Sequence, residues 1–180
     1  MVKRKQKIGV VVFPTDTAYA LGCDATDPKA VRRIFGIKDR EPGKALPMIV
    51  ADMKMAKKFF LFSAHALRLA KRHWPGPLSI ILPVRGKKIA RSALSMGTAA
   101  VRVPDSKIAR GLSRMLGAPI IATSANVSGM PAAYSIRALS LPVKVPIIDA
   151  GALPRRKAST IVRIAENGTV EVLRQGPIRL

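Results

Sequence analysis

Four places along the chain gather side chains fit for handling small anions and zwitterions. In Pro14-Thr15-Asp16-Thr17-Ala18-Tyr19 two hydroxyls flank a carboxylate directly after an apolar run. Such alternation of donors and acceptors suits a small zwitterion, and it equally suits an Asx or ST turn that satisfies its own backbone. Lys38-Asp39-Arg40, with Lys44 close behind, offers cations for phosphate or bicarbonate at the expected end of a helix, a place the helix dipole favours for cations in any case. Ala122-Thr123-Ser124-Ala125-Asn126 puts Ser124 and Asn126 on one side of an extended strand end. Arg102 interrupts the apolar Val101-Arg102-Val103, where an unpaired cation is costly, so it must face an anion or a partner.

Other chemistries lack their residues. There is no G-x-x-x-x-G-K-[ST] loop and no G-x-G-x-x-G after a strand, so any nucleotide site is built another way. His65 and His73 share one basic helix with no serine elbow nearby, and no further ligands surround them, so neither a hydrolase triad nor a resident metal is expected. Cys23 is the only cysteine, which excludes an intramolecular disulfide and reads as a core thiol.

These groups need a frame. Ile8 to Phe13 is β-branched and uncharged, which predicts a buried strand. Asp27-Pro28 predicts a helix to about Lys38, Asp52 a second helix and Ser63 a third carrying Leu67, Ala70 and Trp74. Strands are expected at Leu46–Val50, Leu78–Val84 and Ala99–Val103. Pro104-Asp105-Ser106 then opens a helix through Met115 and Leu116 that Gly117 ends, and Pro119–Thr123 returns as strand. A short helical segment near Ser135–Leu139 precedes strands at Val145–Ile148, Thr160–Ile164 and Val170–Leu173, the last two joined by an Asn167-Gly168 hairpin turn. Helices interleaved with strands, ending in a hairpin, predict one α/β domain over 1–180 with a mixed sheet. Residues 1–7, with Lys3-Arg4-Lys5, read as a basic arm.

Charge is the loudest compositional feature: 32 Lys and Arg against 10 Asp and Glu give a formal +22. Such an excess fits RNA, a nucleotide pocket, or both. Aromatic residues make up only 4% of the chain, which argues against a platform that stacks single-stranded bases. No apolar run approaches the roughly 20 residues of a membrane span, and the N-terminus has no secretory cleavage pattern, so the expected place is the cytoplasm.

In order along the chain, several of these pieces resemble the YrdC-like family of threonylcarbamoyl-AMP synthases. They are Pro14-Thr15-Asp16-Thr17-x-Tyr19-x-Leu21-Gly22, the Lys38-x-Arg40 pair, Lys44-x-Leu46-Pro47, Trp74-Pro75-Gly76-Pro77, Val101-Arg102-Val103-Pro104 and Ser124-Ala125-Asn126-x-Ser128-Gly129. Ser159-Thr160-Ile161-Val162 and Leu173-Arg174-x-Gly176 complete the set. The pattern departs from the family at Ala20, Glu41 and Gln175, of which Glu41 adds a negative charge beside the Lys38-x-Arg40 pair.

The resemblance implies a curved mixed sheet flanked by helices around a basic concave pocket, in the short form without an added C-terminal domain. It also implies the reaction of L-threonine, bicarbonate and ATP, with Mg²⁺ carried on ATP. The product would serve a separate transferase that modifies tRNA. Lys38, Arg40, Ser124 and Asn126 are carried over as the catalytic set. Thr15, Thr17, Tyr19, Lys44, Arg102, Thr123, Ser159 and Arg174 are expected to touch substrate, with Asp16 a turn carboxylate and an alternative base. Two other readings are a non-catalytic module cradling duplex RNA or tRNA in the same hollow, and a paralogue acting on another carbamoyl or nucleotide substrate.

Overall fold

Each helix begins where a short polar side chain can cap it. The computed structural model describes residues 8–41 and 43–180; the Lys3-Arg4-Lys5 arm lies outside them. Asp27 accepts the N–H groups of Lys29 and Ala30 and starts α1, Pro28–Lys38. Asp52 caps α2, Met53–Phe59, through the Met55 N–H, and Ser63 caps α3, Ala64–His73, through that of Ala66. Ser106 caps α4, Lys107–Leu116, which Gly117 ends in the left-handed region at φ 63°. A side-chain oxygen at each start satisfies one backbone donor that the helix cannot, about 1 kcal/mol apiece.

Among the described residues nine strands form two hydrogen-bonded sheets. The smaller is antiparallel in the order β1-β2-β7, from Val11–Pro14, Tyr19–Gly22 and Thr123–Ser124. The larger is mixed, in the order β6-β3-β5-β4-β8-β9. Its strands are Ile120–Ile121 (β6), Met48–Ile49 (β3), Thr98–Arg102 (β5), Leu78–Pro83 (β4), Thr160–Ile164 (β8) and Val170–Arg174 (β9). The chain passes from the large sheet to the small one at Ala122, between β6 and β7, whose N–H donates to the Pro47 carbonyl at 2.9 Å. Phe13, Tyr19, Leu21, Ile34, Phe60 and Ile80 are fully or almost fully buried in the core. Helix α3 packs on β4, and α4 on β1 and β3.

Several expected strands take different forms. Pro119–Thr123 is split by the step at Ala122, because its two halves pair with different sheets. Val145–Ile148 is no strand. Its only ladder contact is a single parallel bridge from Ile147 to Val12, since Pro142 and Pro146 cannot donate. Tyr19–Gly22, read from the sequence only as part of a loop, is a central strand. Ser135–Leu139 holds one 3-10 turn, Ile136–Ala138. The hairpin between β8 and β9 turns at Asn167-Gly168 as expected, with Gly168 at φ 84°.

Gly22 sits on the seam between the sheets. A Cβ there would overlap the Ile121 carbonyl and press on the Phe13 ring. Backbone at a sheet junction cannot yield as a surface side chain can, so a methyl group is expected to destabilise the fold by about 2–3 kcal/mol. Urea unfolding of Gly22→Ala against Gly9→Ala, whose added methyl meets nothing within 4 Å, checks this; equal midpoints would refute it.

Candidate active site

A cavity of about 490 Å³ opens along the seam. β2, β7 and the Thr15–Ala18 loop form one wall, and β3, β5 and the Pro47 turn another. Residues 156–159 and Arg174 close a third side. Among the described residues five cations line it, Arg40, Arg102, Arg156, Lys157 and Arg174, and no carboxylate does. Such a wall concentrates positive potential in partly desolvated space, where charges act more strongly than in water.

The five are held differently. Arg102 is buried on β5 and pairs with Asp16 at 2.5 Å, with a second nitrogen on the Thr17 hydroxyl at 3.3 Å. The Asp16 side chain is only 3% exposed and its other oxygen accepts the Asp105 N–H at 3.2 Å. Asp16 is therefore the partner that the buried Arg102 required, and its oxygens are engaged by a cation and an amide rather than free to take a proton. Arg174 donates from Nε to the Ser159 carbonyl at 2.9 Å and from Nη2 to the Ser159 hydroxyl at 3.0 Å, and that hydroxyl also meets Ser79 at 3.0 Å. Burial, then the nearby Arg102, pulls the Arg174 guanidinium below its usual value. Ser159 thus aims a cation at the cavity.

Arg40 is the least satisfied. One terminal nitrogen donates to the Ala45 carbonyl at 3.0 Å, while its buried Nε finds no partner among the described residues. Burial holds its pKa below the ordinary arginine value, yet a guanidinium stays charged at any relevant pH. A buried, charged donor without a partner is a place where an anion is stabilised.

Lys38 behaves otherwise than the sequence suggested. It is 2% exposed and does not line the cavity. Its ammonium donates to the Ser124 carbonyl at 2.7 Å, the Asn126 carbonyl at 2.6 Å and the Asn126 side-chain oxygen at 3.0 Å. Asn126 in turn receives the Ser124 hydroxyl at 2.6 Å and donates to the carbonyls of Met130 and Pro131. Lys38 is thus a strut behind the wall, whereas the exposed Ser124 and the largely buried Asn126 both line the cavity. Burial, then the Arg40 charge, lowers the Lys38 pKa to about 8.

The remaining expected residues divide in the same way. Thr17 and Thr123 line the wall. Thr15 lines it too, although its hydroxyl closes a local turn onto the Ala18 carbonyl at 2.7 Å. The Tyr19 hydroxyl pins the 149–151 segment through Asp149, Ala150 and Gly151. Lys44 is 64% exposed outside the cavity and pairs with Glu41 at 3.0 Å. Arg156 and Lys157 were not singled out in the sequence; the signal was the run Pro154-Arg155-Arg156-Lys157, one residue ahead of Ser159. Tyr134 fixes that run through a hydroxyl bond to the Arg156 carbonyl at 3.1 Å. Among the described residues no three His, Cys, Asp or Glu side chains group as metal ligands, and no helix is long and apolar enough to cross a membrane.

This geometry is shared with known proteins. The chain is 34% identical over 172 residues to a threonylcarbamoyl-AMP synthase of Alkalilimnicola ehrlichii, covering 93% of this chain and 90% of that one. It superposes on Pyrococcus abyssi Sua5 solved in complex with L-threonine at a TM-score of 0.83 and 34% identity, spanning 93% of this chain and half of the longer archaeal one. Escherichia coli YciO matches at a TM-score of 0.78 and 30% identity, over 94% of this chain and 84% of its own. The Sua5/YciO/YrdC family model, described as telomere recombination, matches residues 5–176, and with that extent of agreement in sequence and fold this chain belongs to the Sua5/YciO/YrdC family.

Proposed function

We propose that this chain is a threonylcarbamoyl-AMP synthase acting in the cytoplasm on L-threonine, bicarbonate and ATP. The observation that carries the reading is the convergence of five cations, with the unpartnered Arg40 Nε among them, on one nucleotide-sized cavity lined by hydroxyls. Threonine nitrogen takes up the carbon of bicarbonate with loss of water. A carbamate oxygen then attacks the α-phosphorus of ATP, the bond to the β-phosphate oxygen breaks, and pyrophosphate leaves. Two anions must meet, and fixed cations remove most of the repulsion between them.

The chain's residues divide that work. Arg40 takes the threonine carboxylate, with Thr17 beside it. Ser124 donates to the triphosphate. Arg174, and Arg102 with its charge offset by Asp16, face the phosphate that changes charge, while Arg156 and Lys157 meet the departing pyrophosphate. Mg²⁺ travels on ATP as part of the substrate. No covalent bond to the protein is needed. The threonylcarbamoyl adenylate is a reactive mixed anhydride, and its consumer is a separate transferase acting on tRNA.

Pyrophosphate release from threonine, bicarbonate and ATP tests these roles. Arg40→Ala is expected to lose about 1.5–3 kcal/mol of transition-state stabilisation, a fall of roughly 10- to 150-fold in kcat/KM. Lys44→Ala, outside the cavity, is expected to stay within about twofold. The reverse order of effects would place the substrate elsewhere.

The strut adds a pH dependence. Three oxygens need three N–H donors, which only the ammonium form of Lys38 supplies, and its proton leaves at about 8. Turnover is therefore expected to decline as pH rises through about 8, and Lys38→Arg, which keeps its charge, to move the decline upward. Stability runs the opposite way. Between about 8 and 10.5 the unfolded lysine holds a proton that the folded one has lost, so this group's contribution to folding becomes more favourable with rising pH. Urea unfolding across that window should show wild type gaining on Lys38→Arg while its turnover falls; a parallel loss of both would contradict the lowered pKa of Lys38.

A further inference from the structure

Ser79 is a buried hydroxyl in an otherwise apolar stretch of β4, Leu78-Ser79-Ile80-Ile81-Leu82. Leu78, Ile80 and Leu82 fill the core, and alternation along the strand turns Ser79 to the opposite face. There it lines the cavity, although it is only 2% exposed. A polar group so placed is costly unless it is hydrogen-bonded. The neighbouring strands carry the cavity's cations or their supports. On the antiparallel side Ile80 stands opposite Val101 of β5, which brings Ser79 beside Arg102. On the parallel side Ser79 stands opposite Ile161 of β8, and its hydroxyl reaches back to that of Ser159, the residue that holds Arg174. Ser79 therefore lies between the two guanidinium groups.

Hydrogen counting across this contact leaves one donor to spare. A guanidinium only donates, so the Ser159 hydroxyl oxygen accepts from Arg174 Nη2 at 3.0 Å. The 3.0 Å contact between the Ser159 and Ser79 hydroxyls consumes one of the pair's hydrogens. The other hydrogen has no acceptor among the described residues. Accepting from a cation makes the Ser159 hydroxyl the stronger donor of the two, so the bonds run one way, from Arg174 to Ser159 to Ser79. The spare hydrogen then belongs to Ser79 and faces a cavity that no carboxylate lines among the described residues. Its acceptor has to arrive with the ligand. We infer that the Ser79 hydroxyl binds substrate directly, donating to a non-bridging oxygen of the ATP α-phosphate between Arg102 and Arg174, a role that rests on the synthase reading for its substrate. The Arg102 charge is felt at the Arg174 guanidinium, so both act on one small region of the cavity. A neutral donor between them adds stabilisation at the phosphate without adding to their mutual repulsion. The chain of bonds also hands part of the positive character of Arg174 to the hydroxyl that touches the phosphate.

Threonine and valine share a branched shape and differ by a hydroxyl in place of a methyl, so Ser79→Thr and Ser79→Val separate the hydrogen bond from packing in the strand. Calorimetry of the full chain with ATP, in the absence of threonine, is expected to show Ser79→Val binding about tenfold more weakly than Ser79→Thr. Ser79→Thr is expected to stay within about threefold of wild type, and Ser79→Ala, which adds no volume, to follow Ser79→Val. Pyrophosphate release from the two α-phosphorothioate diastereomers of ATP supplies a readout that a merely structural serine would not move. Sulfur accepts hydrogen bonds weakly, so wild type and Ser79→Thr should favour the diastereomer that keeps oxygen toward Ser79. Ser79→Val should reduce that preference about fivefold or more. The inference is overturned if Ser79→Val binds ATP as Ser79→Thr does, or if the two variants show the same preference between the diastereomers. Wild type that binds ATP but releases no pyrophosphate with threonine would count against the synthase reading alone, and the binding comparison would still decide the place of Ser79.

Discussion

One buried ammonium holds the active wall in shape. Lys38 leaves the end of α1, passes behind the cavity and binds three oxygens of the Ser124–Asn126 segment. The chain just beyond it donates back, since the Ser128 N–H reaches the Lys38 carbonyl at 3.1 Å. Helix end and strand end are thereby tied in both directions. A buried charge is costly unless its donors are used, and here their use fixes the place of Ser124. Arg40, two residues on, is directed to the cavity side because Asp39 between them takes a left-handed conformation at φ 46° and turns the chain. The pair Lys38 and Arg40 is thus one support and one ligand, and the short spacing between them is what places them on opposite sides of a wall.

The cavity solves a related problem with its other cations. Like charges gathered in partly dry space would drive the walls apart, and three of the five are anchored by a neutral or anionic group that leaves part of them facing inward. Asp16 answers Arg102, Ser159 answers Arg174, and the Ala45 carbonyl answers Arg40. Anchoring by carbonyls and hydroxyls preserves the positive field, whereas a carboxylate cancels much of it. The choice of anchors explains how a net positive hollow survives without substrate, and why Asp16 is better understood as a structural counterion than as a base.

What was legible in the sequence follows this division between local and distant interactions. All four helix starts could be read, because Asp27, Asp52, Ser63 and Ser106 act on backbone within three residues of themselves. The 145–148 segment could not, since its β-branched residues look like strand and the prolines that break the ladder matter only once a partner is known. Tyr19–Gly22 was missed because its identity as strand depends on pairing with both Val11–Pro14 and Thr123–Ser124. At the site, residue types were sufficient to collect Arg40, Arg102, Ser124 and Arg174, but they do not say which way a long side chain points. Lys38, read as a ligand, spends its ammonium on the Ser124–Asn126 segment behind the wall, whereas Asn126 and Tyr19 line the cavity while their polar ends are also engaged by neighbouring chain. Arg156 and Lys157 lie in irregular chain, where no periodicity marks an inward side.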